Sequence, residues 1–341
     1  MHRLIPLLVL LAFPGTAGAA SYLPAGGGVF HGGTGGYDTG HIREFGHLTG
    51  RLPAVYQYFF TPSWTHPDQR SLNWQEGLLR RSEQAGTRPM LALSTARGGH
   101  GGSVVTPGGL ARGAGDPYLL SLNRLIAGTG QVVYIRLMAE MNNFNNPYSA
   151  FNGGGFRRGW AYSTRAFRLA WRRAALVLRG GRVASIDRRL GRLRLAPVRT
   201  AEAELPRPRV SLLWVPFCAG LPAVAGNGPG AYWPGSHYVD WVGTDFFANS
   251  PNFSCLGHFY GDRRWRRKPF AFGEYALWGR DDPGFVRKLF GWIRSHGRVR
   301  LVVYNQGAAI KPLLRLRPRS AAELRRQLRS RRFASSSDPA R

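Results

Sequence analysis

The chain has 341 residues, 43% of them hydrophobic, and carries 47 Lys and Arg against 18 Asp and Glu, a formal net charge of +29. That length buries a large core, and one barrel domain of roughly 250 residues uses most of it. The charge favours anionic surfaces, but apart from Phe333 no aromatic interleaves the two Arg-rich runs, so a base-stacking surface for nucleic acid is not supported.

At the start, His2 and Arg3 precede an apolar run, LIPLLVLLAF, then GTAGA, with Ala17 and Ala19 forming an A-x-A cleavage site. The run is too short to span a bilayer and is expected to be a secretory signal peptide over residues 1–19, with the mature chain exported. No later stretch is long enough for a membrane helix.

From there short apolar runs alternate with amphipathic helical patterns, the signature of βα units. Strands are predicted at 28–30, 54–60, 89–94, 132–138, 210–215, 241–246, 269–272 and 299–304. Helices are predicted around 39–47, 73–84, 160–179 and 283–293. Another follows Asp116-Pro117, with Asp as N-cap and Pro at the first helical position, and a capping box, Ser320-Ala-Ala-Glu323, opens a last one. The Gly-rich stretch 98–115 reads as a loop without the Lys-Ser/Thr of a phosphate cradle. Residues 180–209 read as an Arg-rich insertion or a long irregular connection.

Eight strands with helices between most of them match a closed (β/α)8 TIM barrel. An open doubly wound sheet fits less well, because no G-x-G-x-x-G follows the first strand. The barrel domain is placed at residues 20–310, and a basic helix and tail at 311–341. Residues 179–209 carry nine Arg and three acids, and residues 311–341 ten Lys/Arg and two acids. Both runs are expected to be solvated surface remote from any cleft, giving weak, salt-sensitive attachment to anionic cell-envelope polymers. There is no Cys/His cluster with metal-ligand spacing, and no cofactor is expected. Cys218 and Cys255 follow the fifth and sixth strands, so their side chains can meet. A disulfide is expected in an exported chain, against the alternative of two buried thiols.

In a chain this poor in acids, two glutamates stand at the carboxyl ends of apolar strands, the end where a barrel of parallel strands does its chemistry. Glu140 ends VVYIRLMAE, and Glu274 sits in a Gly-Glu-Tyr turn within KPFAFGEYALW. Taken singly, Glu140 is equally readable as a helix N-cap or a partner for Arg136. Glu274 is equally readable as a salt-bridge partner for Arg263, Arg264, Arg266 or Arg267. Taken together, on strands four and seven, they are the paired carboxylates of a glycosidase. The amides after Glu140, including Asn142, Asn143, Asn145 and Asn146, suit sugar hydroxyls, and Tyr275 and Trp278 offer ring faces. Strand-end position adds His31, Trp64, Asp245, Tyr304 and Asn305 as pocket candidates. Asp245 is also readable as a structural acceptor, and Trp214 as core or platform.

These blocks resemble glycoside hydrolase family 26, the secreted β-mannanases and related β-glycanases in the clan of (β/α)8 retaining glycosidases. The resemblance covers roughly residues 27–305. It is carried by GDPYLLSLNRLIAGTGQVVYIRLMAEMN at 115–142, AWRRA at 170–174, VSLLWVP at 210–216, YWPGSHYVDWVGTDFF at 232–247 and KPFAFGEYALWG at 268–279. It implies Glu140 as general acid/base, Glu274 as nucleophile, and a covalent glycosyl-enzyme. Two departures stand out. The His that usually precedes the acid/base is Ala139, and the Tyr common at the end of strand six is Phe247. The expected activity is therefore that of a secreted endo-β-1,4-mannanase-like hydrolase acting on a β-linked polysaccharide. The alternative is a non-catalytic carbohydrate-binding or cell-surface barrel that has lost turnover.

Overall fold

The computed structural model describes residues 22–97, 102–307 and 313–335; the expected signal peptide at 1–19 lies outside them. Eight parallel strands form the centre: β1 (Val29–Thr34), β2 (Val55–Phe60), β3 (Arg88–Leu93), β4 (Val133–Leu137), β5 (Val210–Trp214), β6 (Trp241–Phe247), β7 (Phe270–Ala276) and β8 (Val299–Asn305). Each pairs with the next, and β8 pairs back onto β1 with Phe30 opposite Leu301, so the sheet closes into a (β/α)8 barrel. Around it lie α1 (Thr39–Thr49), α2 (Gln69–Gln84), α3 (Pro107–Ala111), α4 (Asp116–Thr129), α5 (Thr164–Arg179), α6 (Val183–Arg192), α7 (Phe253–Gly261), α8 (Pro283–Ser295) and α9 (Pro318–Leu328).

Strand alternation divides the core in two. Phe30, Val55, Met90, Tyr134, Leu213, Trp241, Ala271 and Leu301, one from each strand, fill the barrel interior. Their neighbours Val29, Tyr56, Leu91, Ile135, Leu212, Val242, Phe272 and Val302 point outward under the helices. A strand buried on both faces reads as a largely apolar run, which made most of the eight visible in the sequence.

Strand β7 breaks the alternation, as β8 does at Arg300. Between β6 and β7 the register slips, Thr244 lying opposite Phe272 but Asp245 opposite Glu274. This bulge at Gly273 turns Glu274 to the inner face and Tyr275 to the outer one. Glu274 thus lies within a strand and not in a turn. Gly273 is required there: a Cβ would stand 2.9 Å from Val215, 3.0 Å from Asp245 Oδ1 and 3.1 Å from Arg136 Nε.

Four local readings change. Part of the Gly-rich stretch folds as α3, because Thr106 caps it by accepting from Gly109 N at 3.0 Å. Residues 180–209 contain α6 and a short antiparallel pair, Gly181–Arg182 with Glu204–Leu205. Asp116 does not cap α4; Gly115 takes that position, and the buried Asp116 carboxylate accepts both Nε and Nη2 of buried Arg173. Ser320 lies inside α9, which starts at Pro318. The Asp281 carboxylate supplies the acceptor there, taking the backbone N–H of Arg319 at 3.0 Å and of Ser320 at 2.8 Å. α9 packs on α8 and α1 with Leu324 and Leu328 fully buried, and Phe333–Ala334 pairs with the amino end of β1. The basic C-terminal helix therefore seals the outer shell with its apolar face.

Cys218 and Cys255 are bonded, with Cα atoms 5.8 Å apart, tying the segment after β5 to α7. No described helix is long and apolar enough to cross a membrane, and among the described residues no cluster of three His, Cys, Asp or Glu could hold a metal ion. The bond closes a sequence separation of 37 residues. Replacing both cysteines with alanine is therefore expected to cost about 2–4 kcal/mol in reversible denaturation, by loosening the unfolded chain's constraint. Two free thiols in mass spectrometry of the unreduced protein would contradict the pairing.

Candidate active site

The carboxyl end of the barrel opens into a cleft of about 410 Å³ lined by Glu140, Glu274, Arg136, Asn143, Asn146, Tyr148, Ser94 and Asn249 among its polar groups. Apolar contacts come from Phe59, Ala139, Phe217, Phe247 and Trp278. Both glutamates face this one space.

Its chemistry is organised by Arg136. The residue lies two positions beyond Tyr134 on β4, so it projects into the barrel, where its guanidinium is fully enclosed. One terminal nitrogen donates to Glu274 Oε1 and the other to Asp245 Oδ2. Burial opposes its charge, but Asp245, Glu274 and Glu140 hold it firmly protonated. Asn305, at the end of β8, donates to the second oxygen of Glu274. Both Glu274 oxygens thus accept hydrogen bonds, as a carboxylate's do.

Glu140 is set differently. Met138 and Glu140 adopt left-handed backbone conformations, φ 43° and 51°, which cost of order 1–3 kcal/mol each for residues with a Cβ. The turn is held by Glu140 N donating to Val215 O at 2.6 Å, and by Asn143 N and Asn146 Nδ2 donating to Glu140 O at 2.9 and 3.1 Å. Its side chain accepts from Asn143 Nδ2 at 3.1 Å. Burial raises the Glu140 pKa, and the charge of Glu274 raises it further; Asp245, Arg136 and Asn143 only partly offset this. Asp245 is also raised well above the usual carboxylate range, first by burial. Its Oδ1 takes no protein hydrogen bond among the described residues, and it lies within hydrogen-bond reach of the Glu140 carboxyl. Two carboxyls so placed share a proton and titrate as a pair.

The other expected site residues divide. Trp278 lines the cleft, with its ring edge-on to Phe247 at 6.1 Å. Asp245 belongs beneath it, held by Arg136. The remaining five do not reach it. His31 lies within β1 and points outward, stacked on Phe45 of α1 at 5.2 Å with Nε2 3.3 Å from Thr49 Oγ1; burial, then the Arg51 charge, lowers its pKa to about 3. Trp64 is a buried pillar behind the cleft wall, donating from Nε1 to Ser94 O at 2.9 Å. Asn142 is spent on backbone, donating to Phe217 O and Ala219 O at 2.9 and 3.0 Å and accepting from Phe217 N at 2.9 Å. Tyr275 and Tyr304 face outward and pack on each other at 5.2 Å. Trp214 is core, between Trp233 and Trp265. Cleft residues not singled out include Ser94, Tyr148, Phe217 and Asn249, and on the strands Arg136 as the centre of the charge cluster and Phe59. The last two are legible from strand alternation, counting from Tyr134 and Val55.

No family model and no curated protein sequence matches the chain. Solved structures do. GH26A from Muricauda sp. is 12% identical with a TM-score of 0.59, covering 92% of each chain. The Bacillus subtilis mannanase BCman is 16% identical with a TM-score of 0.53, covering 86% of this chain and 84% of that one. A broad-specificity GH5-4 endoglucanase from Clostridium acetobutylicum is 11% identical with a TM-score of 0.51, covering 86% and 89%. The chain thus has the barrel fold of family 26 mannanases, a fold it shares with a GH5-4 endoglucanase.

Arg136→Met would leave Asp245 and Glu274 buried without their counter-charge. A loss of about 3–5 kcal/mol is expected in chemical denaturation. Arg136→Lys should lose less, because it keeps the charge while giving up the two-pronged contact. Equal stability of Arg136→Met and the parent would contradict this account.

Proposed function

We propose that the protein is a secreted, retaining glycoside hydrolase of endo-β-1,4-mannanase type, cleaving a β-linked polysaccharide by double displacement. One observation carries the reading. Two carboxyls face the same cleft in different settings: buried Glu274 with hydrogen bonds to both oxygens, half-buried Glu140 with its pKa raised by desolvation and by the charge of Glu274. Environments that push paired carboxyls apart assign nucleophile and acid.

In the first half-reaction a Glu274 oxygen bonds to the anomeric carbon as the bond to the leaving sugar breaks, and Glu140 gives its proton to the departing oxygen. In the second, Glu140 takes a proton from water, the water oxygen bonds to the anomeric carbon, and Glu274 leaves as carboxylate. This mechanism needs the carboxyls ~5–5.5 Å apart. The fold likeness to family 26 mannanases supports the substrate class. The Cys218–Cys255 bond supports export to an oxidising compartment.

The test is reducing-sugar release from mannans, glucans and xylans, with Glu274→Ala as control. Cleavage by the parent and none by the variant is expected; binding without cleavage by the parent would favour the non-catalytic carbohydrate-binding reading. Glu140→Ala should lose about 10²–10⁴-fold on polysaccharide. In kcat/KM most of this should return with an activated aryl glycoside, whose leaving group needs no proton, while kcat should stay low because the second half-reaction still lacks its base. The pH profile has a definite sign. A general acid works only while protonated, and Glu140's pKa is raised, so the basic limb of kcat/KM should lie above the ordinary glutamate range. With Glu140→Ala on the aryl glycoside that limb should vanish.

The exposed arginines of α6, Arg188, Arg189 and Arg192, are proposed to give weak attachment to anionic envelope polymers. Coulomb attraction of this kind is screened over ~8–10 Å at moderate salt and reads nothing on a neutral glycan. Changing all three to Gln should weaken retention on an anionic resin and leave polysaccharide turnover nearly unchanged.

A further inference from the structure

Beyond the catalytic pair, one rim of the cleft continues as an aromatic ledge. Phe59 lines the cleft at the end of β2, with the Arg136 guanidinium 6.0 Å from its ring centroid. Tyr37, between β1 and α1, donates its hydroxyl to Phe59 O at 2.9 Å. Its ring lies 5.4 Å from that of Trp74, in the first half of α2. Phe60 steadies Trp74 edge-on at 5.4 Å, and Tyr58 stacks on Tyr37 at 6.4 Å. Yet Phe59, Tyr37 and Trp74 remain 36%, 46% and 39% exposed.

Two large rings left adjacent in water, tied by a hydrogen bond to the backbone of a cleft-lining residue, offer an apolar surface to a ligand. Their neighbours hold them in place, so little side-chain freedom is lost when a ligand lands on them. An aromatic surface of this kind matches the apolar C–H face of a pyranose. Direction follows from the acid: the leaving sugar must lie toward Glu140, whose loop after β4 borders that side. The ledge stands on the β1–β2 rim, away from that loop.

We infer that Tyr37 and Trp74 form a distal subsite on the glycone side, taking a sugar ring two or more units from the scissile bond and favouring long chains over short ones. This rests on the glycosidase reading above. It explains why Tyr37 spends its hydroxyl on the backbone of a cleft-lining residue: the bond sets the ledge in register with the cleft.

The test is calorimetric binding of mannohexaose, mannobiose and cellohexaose to Glu274→Gln protein, in which the ligand survives. A hexaose is expected to bind at least 10-fold tighter than mannobiose, and Trp74→Ala in the same background to remove most of that advantage. Tyr37→Phe keeps the ring but frees it from Phe59, and should remove a smaller part. Trp74 is exposed, so an unchanged circular dichroism spectrum is expected and separates binding loss from unfolding. A hexaose advantage that survives both Trp74→Ala and Tyr37→Ala overturns the subsite while leaving the glycosidase reading intact. Failure of every oligosaccharide to bind sinks both. A parent that sediments as a dimer and becomes monomeric with Trp74→Ala makes the ledge a self-association surface and overturns the subsite.

Discussion

The site depends on one guanidinium facing three carboxyls at the base of the cleft. Arg136 bonds Asp245 and Glu274 directly and also stabilises charge on Glu140. A single positive charge cannot offset three negative ones, two of them buried, and isolated charge in a dry interior costs several kcal/mol. The cluster therefore keeps a proton, and geometry decides where. Burial raises the pKa of Asp245 well above the usual carboxylate range and that of Glu140 as well, and the two carboxyls lie within hydrogen-bond reach of each other. The same balance that makes the interior tolerable supplies an acid beside a carboxylate. Stability and chemistry here have one cause.

Holding that cluster requires departures from regular structure, and each has an identifiable support. The bulge at Gly273 brings Glu274 inward, and the absence of a Cβ there leaves room for Asp245 and Arg136. The left-handed backbone at Glu140 is sustained by Val215, Asn143 and Asn146. Asn142 then ties the turn after β4 to the segment after β5, and the disulfide ties that segment to α7. Phe217, a cleft wall, sits between those two restraints. The strain is local, and the packing around it is redundant, as preorganised sites require.

The barrel was legible because most strands are buried on both faces and read as largely apolar runs; β1, Val-Phe-His-Gly-Gly-Thr, shows only its first two residues this way. The strand ends were less so, since there the apolar pattern gives way to polar residues: Thr34, Glu274 and Asn305 all lie beyond the predicted boundaries, inside strands, and the last two belong to the site. Position at a strand end was readable, but the face was not always used. Tyr304 and Asn305 are adjacent, yet only Asn305 turns inward. His31 lies one residue from interior Phe30 and points to α1. For Tyr275 alternation itself misleads, because the bulge at Gly273 reverses it. Arg136 shows the opposite case. Four residues from Glu140 and two from interior Tyr134, it shares their face, and an arginine in an apolar strand had to find acids inside. Asn142 was misread because an amide beside a catalytic residue suits a sugar and a backbone carbonyl equally well.

The substitutions at Ala139 and Phe247 act on this cluster more than their size suggests. In the family pattern these positions bring an imidazole and a phenol to the cleft; here Ala139 and Phe247 join Phe217 and Trp278 in an apolar wall. Removing two polar groups lowers the local dielectric, which strengthens every remaining electrostatic contact and makes an unpaired charge costlier. In the proposed reaction, the polar cleft groups left to meet sugar hydroxyls would be Ser94, Asn143, Asn146 and Asn249. The Glu274 carboxylate would there offset the positive charge that develops on the sugar, while Arg136 holds that carboxylate in place. A site built this way trades hydroxyl recognition beside the scissile bond for electrostatics. Discrimination among glycans must then come from contacts farther along the chain, where the rim is aromatic.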